Sequence, residues 1–289
     1  MRKLHKIISP LLLSLASIIA VTLLAVGCRL EQKTSPVVAV SIRPQKYILE
    51  KIAGNKIEVV CLLENGSNPE NYEPKINDML ALEHCDAYFT IGNIGYEYAI
   101  QEKVKNNNAN LKIYDTSKGI SLMKSSDKKM AEYNPHVWTS VKNAKIIASN
   151  MHHALIELFP NNKKYFNVRY NKLLAHLDSL DSQFAHELKQ VEKRPFIVWH
   201  PSLSYLSRDY GLTQVALDIQ HLNLDTIDAI KAQGGKTIFV QPQFDGRKAE
   251  LLSMSLPLTN VEINLMDEKW EEQMKTVVNA LVSQPVKKE

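Results

Sequence analysis

The chain has 289 residues, 45% of them hydrophobic, enough to bury two modest cores. Its net charge is only +4, and no basic stripe is interleaved with aromatics, which argues against a nucleic-acid partner. There is no long low-complexity region and no convincing internal repeat.

The first segment stands apart from the fold. Arg2, Lys3 and Lys6 precede an almost wholly apolar run over 7–26, which ends at Leu24-Ala25-Val26-Gly27-Cys28. A charged start, an apolar run and small residues before a cleavage point describe a secretory signal. A Cys directly after Gly27 makes residues 1–27 resemble a bacterial lipoprotein signal, which implies lipid on Cys28; Ala25 stands where such signals more often have Leu. An uncleaved membrane anchor is the alternative, because the run is long enough to span a bilayer. Residues 28–36 read as a polar tether.

Residues 37–42 form a short β-rich run, and Pro44 opens a helix that stops at Gly54. A strand at 57–63 leads into a loop at 64–72, rich in Asn, Gly, Ser and Pro. Pro74 opens a helix carrying Ile76, Met79, Leu80 and Leu82. A strand at 87–91, a helix through 98–104 and a strand at 111–114 follow. Strand–helix alternation with short loops implies a parallel, doubly wound sheet. Residues 119–133 are a Lys-rich surface loop, and after 134–138 comes a helix with Ile146, Ile147, Met151, Leu155 and Leu158 on one side.

Residues 161–192 then place Phe166, Tyr170, Leu173, Leu177, Leu180, Phe184, Leu188 and Val191 at steps of three or four. That is the period of a helix with one buried stripe. Asn161 or Asn162 caps its start, Pro195 forbids its continuation, and no Gly or Pro interrupts it. At 1.5 Å per residue it spans roughly 45 Å. A coiled-coil arm has the same pattern, but strand–helix alternation on both sides favours a spine joining two lobes.

The second half repeats the plan, with strands at 196–199, 215–217, 237–240 and 258–263 and helices at 203–210, 225–232, 246–255 and 267–282. The chain therefore reads as an α/β protein of two lobes, each a parallel sheet flanked by helices. The N-terminal lobe is 37–160, the linking helix 161–193 and the C-terminal lobe 194–289. Ligands of open α/β sheets sit beyond the carboxyl ends of the strands, so the cleft between the lobes is where a site belongs. Cys61 and Cys85 fall at opposite edges of a parallel sheet, too far apart for a disulfide. Two buried thiols are expected, and no Cys-based metal site.

Four residues follow a strand or precede a helix on the cleft side: Glu70, His136, His200 and Asp267. Pro135 stiffens the approach to His136, and Trp138 can pack behind its ring. His200 directly follows a strand that aims it at the cleft. Two neutral His and two carboxylates balance a divalent cation, and four such ligands suit tetrahedral Zn²⁺. The chain has nine His, and any one taken alone is more often a surface or capping residue than a ligand. His5, His84, His152, His153, His176 and His186 are read that way, with His221 held open.

Five motifs in order carry a family resemblance. They are Ser41-Ile42-Arg43-Pro44, the run from Gly66 through Asn68-Pro69-Glu70 to Pro74, Asn134-Pro135-His136-Val137-Trp138, Phe196-Ile197-Val198-Trp199-His200 with Tyr205 and Tyr210-Gly211, and Phe239-Val240-Gln241-Pro242-Gln243-Phe244. Over 37–274 the chain resembles the zinc- and manganese-binding substrate-binding proteins of bacterial ABC importers, a family also known for a spine between two lobes. The resemblance implies metal ligands at His136 and His200 and a late carboxylate at Asp267, with Glu262 and Glu268 close by. The family's first ligand, a His after Pro, is Glu70 here. The His-rich acidic loop of some zinc-specific members is missing, and 218–224 looks shorter than the corresponding loop.

Two His and two carboxylates make a harder site than three His and one. Harder ligands move relative preference towards Mn²⁺ or Fe²⁺ while Zn²⁺ still binds tightly, so Zn²⁺ and Mn²⁺ stand nearly level. The expectation is a monomeric, extracytoplasmic binding protein, not an enzyme. It would be held at a membrane by lipid on Cys28, capture Zn²⁺ or Mn²⁺ between its lobes and deliver it to an ABC permease. The rivals are a metal hydrolase, for which Glu64 or Asp245 could be nominated as base although nothing in the sequence fixes them near the site, and an adhesin or assembly lipoprotein with the same fold and a degenerate site. A spine without Gly or Pro implies a small lobe rotation on binding.

Overall fold

The computed structural model describes residues 35–108, 111–125, 132–217 and 224–283. The signal segment, Cys28 and His221 lie outside the described residues.

Two parallel four-stranded sheets share one winding. β1 (Val37–Val40), β2 (Glu58–Cys61), β3 (Ala87–Thr90) and β4 (Lys112–Asp115) take the order β2-β1-β3-β4. β5 (Pro195–Val198), β6 (Thr213–Ala216), β7 (Thr237–Val240) and β8 (Thr259–Glu262) take the order β6-β5-β7-β8. The inner strands β3, β5 and β7 are buried along their whole length, as strands covered by helices on both faces must be. In each sheet the chain goes from the first strand to the edge and then crosses back to the other side. That reversal opens a crevice at the carboxyl ends of the strands.

The helices are α1 (Arg43–Ala53), α2 (Ile76–Glu83), α3 (Gly95–Asn107), α4 (Val141–Leu158), α5 (Lys163–Leu188), α6 (Ser204–Tyr210), α7 (Leu224–Ala232), α8 (Pro242–Ser255) and α9 (Trp270–Val282). Pro44 and Pro242 sit in the first turns of α1 and α8, where a missing N–H costs nothing. α8 therefore starts earlier than the 246 expected. α1 ends at Gly54, whose φ is 58° and where a Cβ would collide with Tyr165 and Arg169 of the spine. Ser140 caps α4, its hydroxyl accepting from Asn143 N at 3.0 Å.

The spine is α5, and its buried stripe is Phe166, Leu173, Leu177, Leu180, Phe184 and Leu188. The α-helix is shorter than the run that shows the pattern. Pro160–Asn162 and Lys189–Val191 close it at either end as tight 3₁₀ turns. Among the described residues no helix is long and apolar enough to cross a membrane.

One apolar cluster runs from β1 and β3 through α4 and the spine to β5, Phe239 and α9, so the lobes share a core. A smaller cluster of Ile197, Trp199, Ile227, Ile230, Ile238, Val240 and Leu256 seals the sheet of the second lobe against α7 and α8. Both thiols are free. Cys85 is buried as expected, but Cys61 is half-buried because β2 is an edge strand.

Candidate metal centre

Three of the four expected residues meet. Glu70 lies in the loop from β2 to α2, and its backbone N–H donates to Asn68 Oδ1 at 2.8 Å. His136 precedes the 3₁₀ turn Val137–Thr139 that leads into α4, and His200 follows β5 by two residues. The Nε2 atoms of the two imidazoles are 3.0 Å apart. Glu70 Oε1 stands 3.5 Å from His136 Nε2 and 3.3 Å from His200 Nε2. Among the described residues, these three are the group of His, Cys, Asp and Glu whose donor atoms lie close enough for one ion. Bonds of about 2.0–2.1 Å in a tetrahedral shell put neighbouring donors roughly 3.3–3.4 Å apart, close to these edges.

The His136 ring is fully buried, while the His200 and Glu70 side chains keep 14% and 24% exposure. Burial, then the neighbouring His200, holds His136 well below the usual imidazole range. It is therefore neutral at physiological pH, the form that binds a metal. Trp138 packs against His136 with ring centroids 5.1 Å apart. Its indole N–H donates to Leu265 O at 3.1 Å, and Trp270 donates to Trp138 O at 2.7 Å. Those two bonds tie the His136 segment to the loop after β8 and to α9. The site's open side is thus framed by Glu70, and its floor by buried aromatic rings.

Residues 38–284 match the model of the family described as ZnuA, zinc-uptake complex component A, periplasmic. The chain belongs to this family. Members of the ZnuA family are substrate-binding components of metal importers, not enzymes. A zinc-bound crystal structure of a ZnuA deletion mutant superposes with a TM-score of 0.77 at 31% identity, over 87% of this chain and 100% of that one. The high-affinity zinc uptake protein ZnuA of Bacillus subtilis is 25% identical over 191 residues, 62% of this chain and 60% of its own. The manganese transporter substrate-binding lipoprotein PsaA of Streptococcus mitis is 24% identical over 234 residues, 75% of this chain and 74% of its own.

Asp267 falls outside the group of three donors in this ZnuA-family chain. Its Oδ1 accepts from Lys269 N at 2.8 Å, in the turn that precedes α9. That turn is also why the last helix starts at Trp270 rather than at 267. Two neighbours of the site carry no role in the sequence reading. Asn134 Oδ1 is 2.7 Å from His136 Nδ1. Phe244 lies flat against His200, with centroids 4.4 Å apart and planes at 20°. Both stand in the motifs named above; Asn134 reaches His136 within its own turn, and the fold brings Phe244 to His200.

Proposed function

We propose that this chain captures a divalent transition metal, Zn²⁺ or Mn²⁺, between its lobes and hands it to a membrane permease. The observation that carries the reading is the convergence of Glu70, His136 and His200 from three separate segments, at 3.0–3.5 Å. Relatives named for zinc uptake and for manganese transport support the same cargo class. Asp267 completes the ligand set by letting go of Lys269 N, so that two carboxylates offset the charge of the ion. The donor set of two imidazoles and two carboxylates leaves Zn²⁺ slightly ahead on raw affinity, with Mn²⁺ close behind. Lipid on Cys28 tethers the protein to a membrane, on the periplasmic or cell-surface side, and it works as a monomer.

Competitive Zn²⁺ and Mn²⁺ titration of the purified protein tests this, beside Glu70→Ala, His200→Ala and Asp267→Ala. One tightly bound ion in the parent, lost in the Glu70 and His200 variants and weakened about tenfold or more without Asp267, is the expected result. An Asp267 variant that binds as the parent does removes that residue from the set. No binding by the parent sinks the importer reading and leaves a fold kept for adhesion or assembly.

A further inference from the structure

We infer that Asn134 is a positioning residue that holds His136 as a preformed donor facing His200. The inference rests on the metal-binding reading above. Asn134 is 2% exposed, and both ends of its amide are engaged. Oδ1 accepts from the His136 backbone N–H at 3.0 Å and faces His136 Nδ1 at 2.7 Å. Nδ2 donates to Pro201 O at 3.1 Å and to Ser204 Oγ at 3.2 Å.

These contacts fix the tautomer of His136. A backbone N–H only donates, so the amide atom facing it is the oxygen. That oxygen only accepts, so His136 Nδ1 carries the ring proton. The Nε2 lone pair is then the one turned towards Glu70 and His200. A metal-binding imidazole held through its other nitrogen in this way is oriented before the ion arrives.

The other end of the amide reaches the second ligand. Pro201 directly follows His200, so one side chain bridges the main chain of one histidine to that of the other. Tyr205 Oη, from α6, donates to Asn134 O at 2.8 Å and holds the bridging residue itself to the second lobe. The side chain thus couples the segments that carry the two imidazoles, whose Nε2 atoms stand 3.0 Å apart. Glu70, on its own loop, is the donor left to close the site. An apolar residue at 134 would leave Pro201 O a partner, because Ser204 Oγ also donates to it at 2.9 Å. The loss then falls on His136.

The test uses the full-length protein in detergent. Nitrogen-15 NMR of the histidine rings, recorded without metal, reads the tautomer of His136, assigned by the signal lost in His136→Gln. The parent is expected in the Nδ1–H form. Asn134→Leu is expected to mix the two tautomers and to weaken Zn²⁺ binding by about 10–100-fold. Asn134→Asp keeps the acceptor, and is expected to keep the Nδ1–H form and recover most of the affinity. An unchanged tautomer with Zn²⁺ affinity within about twofold in Asn134→Leu would overturn the inference. So would an Asp variant that loses the Nδ1–H form, and this comparison decides the matter if Asn134→Leu fails to fold. If the parent takes up no Zn²⁺, the transport reading fails while the metal-free tautomer still decides the role of Asn134.

Discussion

At the scale of single residues, Phe244 shows what surrounds the three converging donors. Its ring stacks on His200 at 4.4 Å and meets His136 edge-on at 5.9 Å. An aromatic wall against the two imidazoles limits their rotation and, in the proposed metal site, would keep water from the ion. Phe244→Ala is expected to speed metal release about tenfold, read by chelator competition, with little change in the on-rate. An unchanged release rate would reduce Phe244 to packing. The histidines were legible because their own neighbours aim them: Pro135 before one, a buried strand before the other. The bond from Asn134 to His136 is local, but its bridge was not legible, because Pro201 and Ser204 lie 67 and 70 residues away. Asp267 was placed beyond the right strand, but its carboxylate satisfies the backbone of its own turn. That kind of local bond competes with a ligand role and leaves no mark in hydrophobic periodicity.

At the scale of elements, the spine was the most legible part of the chain. A three-and-four spacing sustained over so many turns marks a helix with one buried face, and the buried stripe follows it except at Tyr170, which is half-buried. Its ends were not legible, since a 3₁₀ turn uses the same residues as an α-helical one. The stripe also makes a quantitative prediction. Leu177 is 0% exposed, and Val168 on the same helix is 64% exposed. Leu177→Ala is expected to cost about 2–5 kcal/mol in urea unfolding, through lost burial and the cavity left behind. Val168→Ala is expected to stay within about 0.5 kcal/mol. Equal costs at the two positions would mean that the spine does not anchor the core.

At the scale of the whole molecule, the lobes are joined by more than the spine. Glu271 on α9 accepts from Tyr47 of α1 at 2.7 Å, from Lys275 at 2.7 Å and from His176 of the spine at 2.8 Å. One carboxylate thus ties both lobes to the helix between them. The Arg43–Glu268 pair also bridges the lobes, but at 3.5 Å with Glu268 60% exposed it adds little. Burial acts to raise the Glu271 carboxyl, but the hydrogen bonds from Lys275, His176 and Tyr47 outweigh it and hold it at about 2. A folded value below the ordinary 4.5 means stability that is fully present above pH 4.5 and is lost as the pH falls towards about 2. Glu271→Gln is expected to be less stable than the parent at neutral pH and to show a flatter loss through that acid window. Urea midpoints measured across the window check this, and parallel slopes for the two proteins would mean that the junction does not clamp the lobes. At neutral pH the clamp is closed and the shared core is intact. The metal exchange proposed above is then expected to need only a small rotation, since wide opening would have to break both the junction and the core.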